Sequence, residues 1–373
     1  MRVCLLINQI GPGGAPNLLL DIIKNTHDSN IEYIVCTIDQ NKSHVDDFEN
    51  AGADVIEFDA SFKFDPRTVW KMLRFFHQQK FDVLHAHLPY SQTLGRILGH
   101  FGGCSSIVST QHNVPKNYHP ITRKLEQLTR PLDSRTIAVS EGVERAFTGN
   151  SARYVPNQPR QWCTIYNGID VEEFNRAVQE ADSQSIRNKW NVDADHIYVN
   201  VSRYVEAKAQ LDLIAAMDDV IDDIPDAHLF IVGWGELEQQ LRKEVADREL
   251  EDAITITGRV PTVHEYYALA DAFVSSSIFE GLPIAHIEAM AAELPIVATD
   301  IPGVNEAVID GESGILVRPE RPTELADAIV DLTSSSTQKK FGEAGFQHAK
   351  EQFSIERTVD SHLSLYAELT ENT

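Results

Sequence analysis

Two glutamates eight residues apart, Glu280 and Glu288, bracket a helix start in the stretch FEGLPIAHIEAMA. An apolar strand pattern, Ala272–Ser275, precedes them. Gly281 to Pro283 then turns the chain, and Pro283 suits the first turn of a helix. From Ile284 to Ala292 the apolar residues recur at helical spacing. Glu280 therefore falls in the loop, and Glu288 about one turn inside the helix, ~6 Å along its axis. The backbone N–H groups of Ile284 and Ala285 point out of the helix start, where phosphate is favoured. A carboxylate beside such an anion can accept hydrogen bonds from sugar hydroxyls. The plainer reading, an acid placed by the helix dipole, accounts for Glu280 but not for Glu288.

Arg203 and Lys208 lie five residues apart across a second strand-to-helix loop. Arg offers a planar fork and Lys a point charge, so the pair can converge on a diphosphate. Two solvated surface cations are the plainer alternative. Gly11-Pro12-Gly13-Gly14-Ala15-Pro16 follows the first strand pattern, and backbone N–H groups there can approach an anion. A dinucleotide fingerprint would need a third glycine where Pro16 stands, so an NAD site is disfavoured. Gly233-Trp234-Gly235 marks a close backbone passage beside a ligand or a tight turn. His85, His87 and His112 lie at strand carboxyl ends, where sites gather. We expect His85 and His87 to face opposite sides of their strand, which disfavours a metal held by the pair. Asp193 and Asp195 fall between the domains and make a poor metal site. No metal and no cofactor is expected.

These residues need a scaffold that lines up strand ends. The first half alternates short β-branched runs with amphipathic stretches: Val3–Asn8, Tyr33–Ile38, Asp54–Phe58, Val83–His85, Ser106–Ser109, Thr136–Val139 and Cys163–Tyr166. The second half repeats the alternation from Ile197. Apolar strands separated by helices indicate parallel sheets covered on both faces. The chain of 373 residues suits two such domains. Their expected bounds are 1–172, a polar linker over 173–195 with a helix at Ser183–Trp190, 196–350, and a final helix over 351–373. Ligands are expected beyond the strand carboxyl ends, in the cleft between the two domains.

Composition excludes several classes. A net charge of −24 argues against nucleic-acid binding. No apolar run is long enough to span a bilayer. The start MRVCLLINQ reads as a first strand rather than a signal segment. The four cysteines are scattered without a C-x-x-C pair, so neither disulfides nor zinc is indicated, and a cytoplasmic location is expected.

Taken in order, the motifs resemble a known family. They are GPGGAP (11–16), HAHL (85–88), STQHN (109–113), VSEGV (139–143), IYNGID (165–170), SRYVEAKAQ (202–210), VGWGELEQQL (232–241), GRVP (258–261), FEGLPIAHIEAMA (279–291), PIVATDIPGVNEAV (295–308) and DGESGILV (310–317). The chain is similar to the GT-B-fold retaining glycosyltransferases of family 4, the glycosyl transferases group 1. The resemblance implies two facing, doubly wound Rossmann-like domains with a central cleft. It implies a metal-independent hexosyltransferase-type enzyme that moves a sugar from a nucleotide-diphosphate donor to a glycan, lipid-linked or other hydroxyl acceptor. It places Glu280 at the donor sugar and Glu288 at the ribose. It sets Arg203 and Lys208 on the leaving diphosphate, together with the helix start at Pro283, Ile284 and Ala285. Gly13 and Gly14 would approach the phosphate from the N-terminal domain, and His112 the transferred sugar. The last helix would cross back to the first domain. Three positions depart from the family pattern: Ser202, Ala209 and Glu293 stand where glycine is usual. A non-catalytic glycosyltransferase-like subunit, or an epimerase or phosphorylase on the same fold, remains the alternative.

Charge is uneven along the chain. Residues 61–135 hold eleven Lys and Arg against four acids. Cations and aromatics interleave in RTVWKMLRFF, so 66–80 and 116–135 are candidate contacts with an anionic membrane surface. The plainer reading makes 66–80 an ordinary amphipathic helix with Trp70, Leu73 and Phe76 on the core. A role in polysaccharide or glycolipid biosynthesis, peripheral at the cytoplasmic membrane face, follows from the first reading.

Overall fold

The apolar strands pair in parallel into two sheets, each wound in both directions from its middle. The structure is a computed structural model and describes residues 1–11, 13–27, 30–39 and 44–371. Pro12 of the glycine turn lies outside the described residues. In chain order the first strands and helices are β1 (Arg2–Ile7), α1 (Gly14–Lys24), β2 (Glu32–Thr37), α2 (Val45–Asn50), β3 (Asp54–Glu57), α3 (Pro66–Gln79) and β4 (Val83–His87). Then come α4 (Pro89–Gly102), β5 (Ser106–Gln111), α5 (Pro120–Thr129), β6 (Arg135–Ala138), α6 (Glu141–Thr148) and β7 (Trp162–Thr164). The sheet order is β3-β2-β1-β4-β5-β6-β7. The strands are apolar on both sides because helices cover both faces: Val3, Cys4, Leu5, Leu6 and Ile7 are all fully buried.

The second set begins with α7 (Val171–Gln179) and α8 (Ser183–Trp190). It continues through β8 (His196–Val201), α9 (Gln210–Asp223), β9 (Ala227–Val232), α10 (Glu238–Asp247), β10 (Ile254–Gly258), α11 (His264–Leu269) and β11 (Ala272–Ser275). It closes with α12 (Ile284–Ala291), β12 (Ile296–Thr299), α13 (Val304–Ala307), β13 (Gly314–Val317), α14 (Pro322–Asp331) and α15 (Ser335–Gln352), and α16 (Ile355–Glu371) follows. Its sheet order is β10-β9-β8-β11-β12-β13. Order reverses between β8 and β11, so the loops leaving those two strands diverge around a crevice at their carboxyl ends. Arg203 and Lys208 are on the first loop and Glu280 on the second.

The chain divides into two compact units, Ile169–Ser354 and the remainder. Residues 173–195, expected as a linker, carry α8 and most of α7 and belong to the second unit. There Trp190 donates its ring N–H to the Tyr266 hydroxyl at 3.1 Å, and Asn175 donates to the Ala291 carbonyl at 2.8 Å. Helix α16 returns to the first unit. Its Ile355, Val359, Leu365 and Tyr366 join the core formed by β1, α1 and β4. Among the described residues no helix is long and apolar enough to cross a membrane.

Helix α3 corrects one expectation. Phe76 is buried and Leu73 half-buried, but Trp70 is 60% exposed, with Arg74 over its ring at 5.6 Å.

Candidate active site

In the second unit the two loops at the sheet reversal are tied together. Beyond β8 the chain runs through Arg203 and a short turn, Glu206–Lys208, into α9. Lys208 reaches across 72 residues of sequence to Glu280, Nζ to Oε1 at 2.5 Å. Ser277 donates to the same carboxylate oxygen at 2.8 Å. Ser276 donates to the Lys208 and Ala209 carbonyls at 3.0 and 2.8 Å, and Ile278 N–H to the Ala207 carbonyl at 2.9 Å. The serine run after β11 thus stitches the Glu280 loop to the Lys208 loop. Glu280 is 8% exposed.

Helix α12 begins at Ile284, so Pro283 occupies the cap position rather than the first turn. The Ile284 and Ala285 N–H groups have no backbone acceptor among the described residues, as expected of a helix start. Glu288 is half-buried. Tyr267 donates its hydroxyl to Glu288 Oε2 at 2.9 Å, with the Ala285 carbonyl at 3.1 Å. Burial raises the Glu288 carboxyl above its ordinary range, and the Tyr267 bond pulls it back in part. The Tyr267 hydroxyl is pushed well up, by burial first and by Glu288 next. Two residues before Glu288, His286 lies buried edge-on to Phe273 at 4.9 Å. Neither of its ring nitrogens has a partner among the described residues. Burial, and then the Lys208 charge, lower its pKa to about 3, so the ring is neutral.

The Gly233-Trp234-Gly235 passage brings backbone close against backbone. A Cβ on Gly233 would overlap the Ser202 carbonyl oxygen, and one on Gly235 the Tyr204 carbonyl. Tyr204 N–H donates to the Trp234 carbonyl at 2.9 Å. This loop therefore braces the Arg203 loop from beneath.

In the first unit the histidines gather at the ends of β4 and β5. His85 and His87 share a face, with ring centres 4.1 Å apart. The expectation of opposite faces is wrong because residues two apart on a strand point the same way. His85 bonds the Tyr366 hydroxyl through Nδ1 at 2.6 Å and the Thr110 hydroxyl through Nε2 at 2.7 Å. His87 Nδ1 lies 3.1 Å from His112 Nε2. Burial holds His85 and His87 well below the usual imidazole range, and brings His112 and His362 to about 4. The cluster is neutral at pH 7. Among the described residues no group of His, Cys, Asp and Glu is arranged to hold a metal. Gly14 opens α1, and a Cβ added there would meet nothing within 4 Å. Gly13 caps the same helix.

Two family models divide the chain. Glycosyltransferase Family 4 matches residues 12–173, and Glycosyl transferases group 1 matches residues 182–348. The chain belongs to the family 4 glycosyltransferases. It is an enzyme of the hexosyltransferase type, built on the two Rossmann-like domains of the GT-B class. It is 25% identical over 320 residues to the UDP-Gal:alpha-D-GlcNAc-diphosphoundecaprenol alpha-1,3-galactosyltransferase of Escherichia coli, covering 83% of this chain and 81% of that one. It is 28% identical over 308 residues to the D-inositol 3-phosphate glycosyltransferase of Paenarthrobacter aurescens, covering 78% and 73%. Among solved structures, Anabaena HepE in complex with UDP-glucose superposes with a TM-score of 0.83 over the whole of both chains, at 21% identity.

Sequence reasoning missed three of this glycosyltransferase's neighbours to the candidate residues. Tyr267, which holds Glu288, reads as one more aromatic in a short amphipathic helix. Trp234 and Arg259 lie within the VGWGELEQQL and GRVP stretches, whose residue types alone assign them no role. Arg259 follows the β10 strand end, the same positional signal that singled out Arg203.

Proposed function

We propose that the second unit binds a nucleotide-diphosphate sugar and that the enzyme transfers the sugar to a hydroxyl acceptor with retention of configuration and without a metal. The observation that carries the donor reading is the Lys208–Glu280 pair beside the free start of α12, at the reversal of the sheet. Cleavage of the donor develops negative charge on the departing diphosphate. Arg203, Lys208 and the N–H groups of Ile284 and Ala285 stabilise that charge where it appears. Glu280, held by Lys208 and Ser277, accepts hydrogen bonds from the donor sugar, and Glu288 from the ribose. The first unit takes the acceptor, and Gly13, Gly14 and His112 are its candidate residues. No carboxylate stands out as a covalent nucleophile, which favours front-face attack assisted by the leaving phosphate. Solved relatives in complex with UDP and UDP-glucose support the donor class.

The test is slow hydrolysis of a panel of UDP-, GDP- and ADP-sugars with EDTA present and absent. Activity with one donor, insensitive to EDTA and lowered ~100-fold in Lys208→Ala and Glu280→Ala, is expected, since one such contact is worth ~2.7–4 kcal/mol of barrier. Silence with every donor would favour a non-catalytic binding subunit.

For the acceptor, a lipid-linked hydroxyl is the reading we favour, with weak contact to an anionic membrane face. Trp70 on α3, Phe101 on α4 and Ile121 and Leu128 on α5 are 60–72% exposed, among Arg67, Lys71, Arg123 and Lys124. Helix α4 packs against both α3 and α5. The relative from Escherichia coli is named for a diphosphoundecaprenol-linked substrate. Co-sedimentation with anionic vesicles at low salt, abolished by Lys71→Glu with Arg74→Glu, is the expected outcome. Binding that ignores the charge reversal would count against this surface.

A further inference from the structure

Arg203 and Arg259 share one aromatic neighbour. The Arg203 guanidinium carbon lies 4.8 Å from the centre of the Trp234 ring, and that of Arg259 lies 5.8 Å away. Both arginines are exposed, and neither has a carboxylate partner among the described residues. Of the other arginines of this unit, Arg242 pairs with Glu238, Arg248 with Asp218 and Glu244, and Arg318 with Glu324, whereas Arg176, Arg187 and Arg321 are in no salt bridge among the described residues. What sets Arg203 and Arg259 apart is that, in a chain of net charge −24, they meet over one indole instead of an acid.

The backbone that carries the ring is held independently of the arginines. Trp234 sits between two glycines pressed onto the Ser202–Tyr204 backbone. Tyr204 N–H donates to the Trp234 carbonyl at 2.9 Å, and Leu237 N–H to the Tyr204 carbonyl at 3.1 Å. The indole is thereby carried by the loop that braces Arg203, and it remains 39% exposed. An acid in its place would also hold Arg203, but it would neutralise the cation and occupy its donors. An indole face attracts a guanidinium through the ring quadrupole and leaves net charge and N–H donors available.

We propose that Trp234 is a positioning residue whose indole holds Arg203, with Arg259 beside it, as uncompensated cations for the donor diphosphate. The proposal rests on reading the second unit as the nucleotide-sugar site. It divides labour between the two loop cations. Lys208 is anchored by Glu280, whereas Arg203 is anchored by a neutral surface and keeps its full charge for the ligand.

Calorimetric titration with UDP, GDP, ADP, inorganic pyrophosphate and uridine tests it, using the full chain and the variants Trp234→Leu, Trp234→Gln and Trp234→Phe. The two non-aromatic variants should bind the preferred nucleoside diphosphate and pyrophosphate about fivefold more weakly, the scale of an exposed cation–π contact. Uridine binding should be unchanged, and Trp234→Phe should stay close to wild type. Far-UV circular dichroism establishes folding, and two non-aromatic variants guard against one that fails to fold. Equal weakening of uridine would overturn the proposal and place the indole on the base. Unchanged diphosphate binding in both non-aromatic variants would overturn it alone. A wild type that binds none of the phosphorylated probes would instead overturn the reading of the second unit, and the proposal with it.

Discussion

Replacing Gly235 by alanine tests the bracing of the Arg203 loop. The residue needs no unusual backbone angle, so the change is purely steric. The new Cβ would overlap the Tyr204 carbonyl oxygen, with the Tyr204 nitrogen at 2.7 Å and carbonyl carbon at 2.8 Å. All three atoms are backbone, and no side-chain rotation relieves them. Ordinary contact at ~3.5 Å requires the two loops to part by about 1 Å. Overpacking of this kind costs ~1–3 kcal/mol. In a unit the size of Ile169–Ser354 that lowers the melting temperature by roughly 3–9 °C. The functional effect should be larger than the thermal one. A displacement of ~1 Å in a charge-stabilising group can reduce turnover ~100-fold. Scanning calorimetry and initial rates of donor hydrolysis at saturating donor read the two effects separately. Wild-type values for both would refute the claim that this glycine exists to seat the Arg203 loop. A thermal loss with full turnover would show that the loop can retreat without moving the guanidinium.

Three further outcomes are expected. Ala209 and Glu293 occupy left-handed backbone at φ 45° and φ 57°, so Ala209→Gly and Glu293→Gly should each stabilise by ~0.5–1 kcal/mol in chemical denaturation, relief of strain exceeding the added chain entropy. Tyr267→Phe leaves the half-buried Glu288 carboxylate without its donor and should weaken nucleoside diphosphate binding about tenfold by calorimetry, with little change for pyrophosphate, which has no ribose. His286 and the first-unit histidines are held below their unfolded pKa, so the unfolded chain binds more protons below pH 6.5. Stability should be full above that pH and fall on acidification toward about pH 4. His286→Leu removes two unpartnered buried nitrogens, so it should raise neutral-pH stability by ~1–2 kcal/mol and flatten part of that slope.

The elements were readable because their causes are local. Val3–Ile7 has to be a buried strand, and Asn167-Gly168 falls at the junction of the two units. The departures from the family pattern were readable too, and two of the three have a backbone cause: Ala209 and Glu293 stand where the chain adopts the left-handed conformation glycine prefers. What the sequence could not show was pairing across distance. Lys208 read as a cation for phosphate, yet 72 residues separate it from the carboxylate it bonds. Trp70 read as core from helical spacing, but spacing fixes which residues share a face, not how far that face is covered. The His85 and His87 error was one of geometry, and the packing that makes the cluster comes from α16, far along the chain.

The first unit is interrupted in sequence by the whole of the second. On the ribosome, the strands β1–β7 emerge first but lack the helix that completes their core. Ile355, Val359, Leu365 and Tyr366 are translated only after all of Ile169–Ser354 has been synthesised. At ~5–20 residues per second that delay is on the order of 10–40 seconds. During it the earlier-made unit waits with the apolar side of β1, β4 and α1 uncovered. The nascent chain's demand for a chaperone should therefore centre on its oldest residues.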